Sequence, residues 1–289
     1  MFFIRLHAFI LVLLFNILLF PGNCINNSEI ELWGECYSIE KTIKLNLSGS
    51  GLTGEIPSQI GDLINLYSID LSNNRFTGKI PREFRKLVNL KFLYLQDNEI
   101  SGEIPAELGN LKKLNRLFLS SNKLTGKIPS ELGKLTDLHY LYLFKNQISG
   151  NIPVEIGNLI NLYKLDLSSN QISGHIPVEI SNLRNLNSLR LFNNKLIGII
   201  PLEIGNLKKL EFLFLQNNNI KGSIPLELSA LNNLAYLDLS SNSLSGVIPL
   251  SICNLLETKI NLGDNQFCPS YPPCISKNDI DSQEKLNCH

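Results

Sequence analysis

A 24-residue motif, repeated without insertion or deletion, constrains this chain more than any other feature. The second copy reads Leu66-x-x-Ile69-x-Leu71-x-x-Asn74-x-Phe76-x-Gly78-x-Ile80-Pro81. Its asparagine recurs with a step of 24 at positions 74, 98, 122, 146, 170, 194, 218 and 242. Ser50 takes that place in the first copy, and Asn265 ends a shortened tenth copy. Units this short cannot bury their apolar side chains alone, so they must stack in register as a solenoid.

Within each copy, the spacing of apolar residues predicts a short strand, a tight turn and a short helical turn. Side chains alternate across a strand, so Ile69 is expected to point inward and Asp70 outward. The recurrent asparagine is expected to satisfy backbone groups of the turn and of the next coil. Glycine permits a positive φ, and the Ile-Pro pair opens the helical turn. The predicted fold is an α/β leucine-rich repeat solenoid of about ten coils, with a parallel sheet on its concave face.

The segments 52–57, 100–105 and 244–249 read Leu-Thr-Gly-Glu-Ile-Pro, Ile-Ser-Gly-Glu-Ile-Pro and Leu-Ser-Gly-Val-Ile-Pro. They resemble the plant-type class of leucine-rich repeats, which includes receptor-kinase ectodomains and polygalacturonase-inhibiting proteins. The resemblance implies a second short strand in each coil and a right-handed superhelical horseshoe. The cysteine-containing tail instead resembles the cap of secreted repeat proteins also seen in microbes.

The N-terminus has the pattern of a secretory signal. Arg5 precedes an apolar run from residue 8 to residue 20, and Pro21-Gly22 ends it. We expect a signal peptide at 1–24, an N-terminal cap at 25–41, repeats at 42–267 and a C-terminal cap at 268–289. The predicted location is extracellular. An uncleaved signal anchor is the alternative, and it would place the protein at the cell surface.

All six cysteines lie outside the regular array, where the end coils need capping. Four of them are expected to form two disulfides in the C-terminal cap, with three connectivities open: Cys253, Cys268, Cys274 and Cys288. Cys36 can pair with Cys24 only if signal cleavage precedes Cys24. Two N-x-S sequons make Asn26 and Asn46 predicted glycosylation sites.

No residue pattern points to catalysis, a cofactor or a metal. His139 and His175 occupy different positions of the repeat, so no nucleophile, base and orienting group come together. The run from Gly49 to Gly54 fits a dinucleotide-binding pattern, but the helix that such a site requires does not follow. The cysteines lack a Cys-x-x-Cys pair, which argues against zinc. With 26 basic and 26 acidic residues, the neutral balance gives no basis for binding nucleic acid.

The outward strand positions carry aromatic and charged residues in a pattern that suggests recognition. Like positions form rows across the sheet, because neighbouring strands lie ~4.8 Å apart. An exposed aromatic patch with interspersed charges marks an interaction site more often than chance. The alternative is that the rings fill the curved face by stacking on one another. The predicted ligand-binding residues are Phe92, Tyr94, Arg116, Phe118, Tyr140, Tyr142, Phe144, Asp166, Arg190, Phe192, Phe212 and Phe214.

The sequence therefore predicts a non-enzymatic recognition module that binds an extracellular protein, peptide or glycan on its concave face. By resemblance it would be receptor-ectodomain-like or inhibitor-like, with a membrane coreceptor as a possible second partner. The alternative is a structural or adhesive protein of the cell surface or matrix, in which the array is a spacer.

Overall fold

Ten parallel strands form one continuous sheet along the concave side of the solenoid. The computed structural model describes residues 24–25, 27–255, 257–284 and 288. Each strand begins a coil, and the coils are numbered 1 to 10 in chain order. The strands are Lys44–Asn46, Ser68–Asp70, Phe92–Tyr94, Arg116–Phe118, Tyr140–Tyr142, Lys164–Asp166, Ser188–Arg190, Phe212–Phe214, Tyr236–Asp238 and Lys259–Asn261.

The sheet register confirms the predicted stacking. Leu141 pairs with Leu117 on one side and with Leu165 on the other, so residues 24 apart lie side by side. These three leucines are completely buried. One apolar column thus runs from coil to coil, and the leucine-rich repeat solenoid is the observed fold.

A second strand follows the turn in each coil, as the plant-type resemblance implied. Six of these strands join in one parallel sheet: Ser149–Gly150, Gln171–Gly174, Lys195–Gly198, Asn219–Gly222, Ser243–Val247 and Gln266–Cys268. The other four form two separate pairs: Thr53–Glu55 with Arg75–Thr77, and Ser101–Glu103 with Lys123–Thr125. Gly150 has a φ of 75°, a value that favours glycine, where its strand ends.

The predicted helical turn is a five-residue 3₁₀ helix that begins directly after the repeat proline. Those within the described residues are Ser58–Asp62, Arg82–Lys86, Ala106–Asn110, Ser130–Lys134, Val154–Asn158, Val178–Asn182, Leu202–Asn206, Leu226–Ala230 and Leu250–Asn254. Consecutive helices pack closely. A Cβ atom at Gly133 would overlap the carbonyl oxygen of Glu155 in the next coil. Only glycine allows that approach without a shift of backbone.

Each asparagine of the column forms hydrogen bonds to the preceding coil. The sequence predicted bonds to the next coil, and that direction is wrong. Asn146 Nδ2 donates hydrogen bonds to the carbonyls of Leu119, at 3.0 Å, and Leu143, at 3.0 Å. Its Oδ1 accepts the backbone N–H of Leu124 at 3.0 Å. The chain leaves the sheet at this point, and one side chain replaces the backbone partners that the turn cannot supply.

The outward positions of the strands are not uniformly exposed. Ser72, Ser120, Ser168 and Ser188 retain 2%, 3%, 2% and 3% of their surface. The expectation that all outward residues face solvent is therefore wrong for these short side chains. Two of them donate hydrogen bonds to the aspartate two residues before: Ser72 to Asp70 and Ser168 to Asp166, each at 2.6 Å.

Both ends of the array carry caps closed by disulfides. At the N-terminal end an antiparallel hairpin, Glu29–Leu32 with Glu35–Ser38, is tied by Cys24–Cys36, and the Trp33 ring lies 5.3 Å from that of Phe76. At the other end Cys253 pairs with Cys274 and Cys268 with Cys288, which selects one of the three connectivities. The helix Lys277–Asp281 places the buried Asp279 carboxylate against the backbone N–H of Leu262, at 3.1 Å. Each cap covers the open apolar end of the stack.

Predictions for residues 1–23 and for Asn26 lie outside the described residues. A mature chain cut after Cys24 would lack the Cys24–Cys36 bond. The signal-peptide boundary stays a prediction. Asn46 is exposed on the first strand, and its glycosylation stays a prediction. Among the described residues, no helix has the length and apolar character needed to cross a bilayer.

Candidate functional site

The aromatic residues that lie on the concave sheet between Tyr67 and Tyr163 form one connected cluster. Its centre is the stacked pair Phe118 and Tyr142, whose ring centroids lie 4.4 Å apart. Tyr94 packs edge-on against Phe118 at 5.1 Å, and Tyr140 lies edge-on to Tyr142 at 6.3 Å. The N-terminal aromatic cluster comprises Tyr67, Phe92, Tyr94, Phe118, Tyr140, Tyr142, Phe144 and Tyr163.

A second cluster occupies coils 7 to 9. Phe212 stacks on Tyr236 at 5.6 Å and on Phe214 at 6.4 Å. Phe192 meets Phe214 edge-on at 6.5 Å. The C-terminal aromatic cluster comprises Phe192, Phe212, Phe214 and Tyr236. The sequence predicted one continuous patch, whereas the structure divides it into two.

Stacking and exposure coexist in both clusters. The predicted aromatic residues remain half-buried, neither inserted in the core nor fully in water. The rings therefore support one another, as the packing alternative required, yet each presents an edge or face to solvent. A ligand would find a rigid apolar surface whose side chains lose little freedom on contact.

A polar gap separates the two clusters at coils 6 and 7. It contains a cavity of about 340 Å³ that opens on the concave face. Rings form its walls, small hydroxyl side chains form much of its floor, and charged groups stand around it. The lining residues are Tyr142, Phe144, Lys145, Lys164, Leu165, Asp166, Ser168, Ser169, Ser188, Arg190 and Phe192. Apolar walls with a few convergent polar groups are typical of ligand sites.

Asp166 is buried and not a surface residue, contrary to its expected exposure. It retains 9% of its surface. Its Oδ1 accepts hydrogen bonds from Ser168 Oγ at 2.6 Å and from Ser168 N at 3.0 Å. Burial raises the pKa of the Asp166 carboxyl, while the Ser168 hydrogen bonds and the Arg190 charge oppose that rise. The carboxylate is therefore a fixed, poorly solvated acceptor in the wall of the cavity.

The phenol of Tyr142 shares this environment. Burial raises the pKa of Tyr142, and the nearby Asp166 charge raises it further. The hydroxyl therefore stays protonated at neutral pH. It remains available as a hydrogen-bond donor beside the cavity.

Cations on the concave face are held by rings. The Arg116 guanidinium lies 5.6 Å from the Phe92 ring centre and 5.2 Å from that of Tyr140. Arg190 lies 5.2 Å from Phe214 and lines the cavity. Such contacts fix the guanidinium plane without neutralising its charge. Each arginine thus keeps its charge on the concave face in a fixed orientation.

The structure brings most of the predicted residues to one face and adds others. Tyr142, Phe144, Asp166, Arg190 and Phe192 border the cavity. The remaining predicted residues lie in the two clusters or, for Arg116, against one of them. Sequence reasoning missed Tyr67 and Tyr163, which lie one position before the outward set, and Lys145, Ser168, Ser169 and Ser188 of the cavity. The aromatic rows are interrupted in one coil, where the outward residues are Lys164, Asp166 and Ser168. This interruption is the sequence feature that could have indicated the cavity.

His139 and His175 have separate surroundings. His139 Nδ1 contacts Asn115 Nδ2 at 2.8 Å and the Asp137 carbonyl at 2.9 Å. The His175 ring lies over Gly198 beside the second strands. A close group of Cys24, Glu29 and Cys36 has metal-ligand atom types, but both sulfurs are bonded to each other. Its thiolates are not free to bind an ion.

Comparisons with known proteins support the leucine-rich repeat fold that the structure shows. A family model described as a leucine-rich repeat region matches residues 39–144 and 117–260. The structure of a TDR receptor is 40% identical, with a TM-score of 0.77, over 79% of this chain and 40% of that one. The Arabidopsis receptor kinase HAESA, in complex with the peptide hormone IDA and the co-receptor SERK1, is 32% identical, with a TM-score of 0.64, over 79% and 46%.

A plant ice-binding protein is 32% identical with a TM-score of 0.69, over 86% of this chain and 77% of that one. Comparison with curated proteins found no match. This chain spans less than half the length of both receptor chains. Their repeat architecture is the kind found in ligand-binding ectodomains, and the repeat pattern, second strands and matched regions all agree. The chain belongs to the leucine-rich repeat family, in its plant-type class.

Proposed function

We propose that this protein is a non-enzymatic recognition module that binds an extended peptide segment of an extracellular partner across coils 3 to 8. The observation that carries the proposal is the concave face itself, where two half-exposed aromatic clusters flank a polar cavity. HAESA, a structural neighbour, binds a peptide hormone and a co-receptor. A membrane coreceptor is accordingly a second proposed partner.

The chemistry of the face indicates which peptide would fit. Apolar side chains of the ligand would lie on the rings of the two clusters, where desolvation favours contact. The gap offers the cations Lys145, Lys164 and Arg190 against a single carboxylate, Asp166. An acidic or hydrogen-bonding side chain would therefore occupy it. The order of apolar, polar and apolar side chains along the peptide would determine its register on the concave face.

Removing the cavity charges tests this proposal with little change to packing. Lys164→Gln with Arg190→Gln keeps the side-chain lengths close and deletes both charges. Lys195→Gln is the matched control, because Lys195 is an exposed cation in the same coil, on the second strand. Each protein would be immobilised and exposed to the extracellular fluid of the producing tissue. Crosslinked peptides would then be mapped by mass spectrometry.

We expect the wild type and Lys195→Gln to capture one stoichiometric partner, crosslinked at coils 5 to 7, and the double variant to lose it. Equal capture by all three proteins would refute the cavity as the binding site. Retention in the wall or matrix fraction without a soluble partner would favour the structural or adhesive alternative.

Ice binding is a second candidate, because the ice-binding structure matches the largest share of this chain among the three compared. A crystal lattice repeats one spacing and one chemistry. One outward row here changes from Phe92 to Arg116, Tyr140 and Lys164 in successive coils, which favours a peptide. Inhibition of ice recrystallisation at micromolar protein would establish this second function.

A further inference from the structure

At one position of the repeat, on the outer side of the array, exposed aliphatic residues form a row in the C-terminal coils only. The row lies at the first residue of each 3₁₀ helix, directly after the repeat proline. Coils 1 to 4 have Ser58, Arg82, Ala106 and Ser130 at this position. Coils 5 to 9 have Val154, Val178, Leu202, Leu226 and Leu250, with exposed fractions of 50%, 50%, 54%, 65% and 71%. This set of five is called the aliphatic row.

The fold does not require aliphatic residues there. Pro57, which precedes Ser58, has φ −64° and ψ 136°, and Pro201, which precedes Leu202, has φ −60° and ψ 135°. Both helices have five residues and bury the same inward position, Ile60 in one and Ile204 in the other. The first four coils are therefore an internal control, because they build the same helix with serine, arginine or alanine.

Other exposed aliphatic residues extend the row towards the second strands. Ile197, Ile199 and Val247 are exposed by 46%, 59% and 56%. The Ile199 side chain reaches the next coil, where its Cγ2 would lie 2.9 Å from a Cβ atom placed on Gly222. Exposed apolar residues that recur at one position in successive coils, on the outside of a protein, indicate an interaction site.

A parallel row of glutamates sets the charge that a partner must carry. A glutamate follows the first helical residue in seven consecutive coils: Glu83, Glu107, Glu131, Glu155, Glu179, Glu203 and Glu227. Among the described residues, Glu107 forms an ion pair with Arg82, whereas the four glutamates beside the aliphatic row have no described ion pair. Apolar and acidic rows thus lie next to each other along coils 5 to 8.

A second copy of this chain suits that surface poorly. Its own glutamate row would enter the same interface, and unpaired like charges are costly where water is excluded. An anionic membrane is disfavoured for the same reason. We propose that the aliphatic row and its adjacent glutamates bind an amphipathic, Lys- or Arg-rich segment of a protein partner. This site lies on the outer side, apart from the concave cavity.

The direct test uses a designed helical peptide of leucine and lysine, with its charge-reversed leucine and glutamate counterpart. Affinity for the intact protein would be measured by fluorescence anisotropy at two salt concentrations. The key variant is Val178→Ser with Leu202→Ser and Leu226→Ser, which installs the residue that coils 1 and 4 already use. The concave variant, Phe118→Ala with Tyr142→Ala, removes the stacked pair at the centre of the concave cluster and reports whether the peptide binds the concave face instead.

We expect the basic peptide to bind the wild type and the concave variant equally. The triple serine variant should bind about tenfold more weakly or worse. Binding should weaken with salt, and the acidic peptide should not bind. Ala106→Leu with Ser130→Leu extends the row and should tighten binding, which keeps the test decisive if the triple variant misfolds.

Equal affinity of the triple variant and the wild type, or equal binding of the acidic peptide, would overturn the proposal. A wild-type dimer in sedimentation velocity that the triple variant lacks would also overturn it, in favour of a second copy. Loss of peptide binding only in the concave variant would place the site elsewhere.

Discussion

Asn146 offers the sharpest test of how the coils are held together. In Asn146→Leu the backbone N–H of Leu124 loses the Oδ1 that accepts it. A buried donor left without a partner costs ~1–3 kcal/mol. The carbonyls of Leu119 and Leu143 also lose a donor, although each keeps a bond from the neighbouring asparagine, Asn122 or Asn170. These weakened bonds add ~0.5–1.5 kcal/mol each, so the expected loss is about 2–6 kcal/mol.

The position within the array decides how this loss is expressed. In a solenoid each coil contacts only its neighbours, so a weak interface in the middle can separate two halves. Urea unfolding followed by circular dichroism should give a lower midpoint. It should also give a broader transition, because coils 1 to 4 and coils 5 to 10 no longer unfold together.

Native-state hydrogen exchange localises the effect. The Leu124 amide should lose protection in Asn146→Leu but keep it in Asn146→Asp, which retains an acceptor oxygen. Asn158→Leu is the control, because Asn158 is an exposed asparagine of the same coil. An unfolding free energy lowered no more by Asn146→Leu than by Asn158→Leu, or an unchanged Leu124 amide, would refute the reasoning.

Three further predictions concern charge, disulfides and rings. The folded pKa of Asp166 lies above its unfolded value, so the stability that this carboxyl contributes should fall as pH rises through the carboxyl range. In urea titrations from pH 3 to 7, the unfolding free energy of the wild type minus that of Asp166→Asn should therefore fall as pH rises. Peptide mapping of the purified protein should find Cys24–Cys36, and a mature N-terminus after Cys24 or a free Cys36 thiol would contradict it. Phe118→Ala with Tyr142→Ala should abolish ligand capture and shift the melting temperature by only a few degrees, since both rings are half-buried. A large fall in melting temperature would favour a packing role.

The repeat spacing predicted the fold because it fixes nearly every inward position. Leu117, Leu141 and Leu165 must lie in one column once a period of 24 is accepted. The periodic asparagines indicated buried amides for the same reason. The direction of their bonds, to the preceding coil, depends on where the chain leaves the sheet, which the pattern does not encode.

The turn before each column asparagine was also beyond sequence reasoning. Glycine takes positive φ as expected, for example at Gly150, but Lys145 also adopts 53° and Ser121 52° in the turns that follow their strands. A lysine in that region is strained by its Cβ atom, so propensity alone argues against it. The amides of Asn146 and Asn122 hold the turn closed, and tertiary hydrogen bonding overrides the local preference.

The division of the aromatic face shows what limits prediction of the site. The sequence identifies which side chains leave the sheet on the outward face, but not how far each extends relative to its neighbours. Short residues in coils 6 and 7, such as Ser168 and Ser188, open a cavity only because Tyr142 and Phe192 stand beside them. Asp166 is buried for the same reason, although its position in the repeat is that of the less buried Asp70 and Asp238.

Positions that the fold leaves free are therefore the informative ones in a repeat protein. Wherever every coil needs the same residue, as at Asn146, the residue reports on stacking. Wherever coils fold equally well with Ser58 or Leu202, the residue type reflects an interaction with something outside the chain. The concave cavity and the aliphatic row both consist of such free positions, and they lie on opposite sides of the coil. A partner on one side need not exclude a partner on the other, which is why the variants of each site serve as controls for the other.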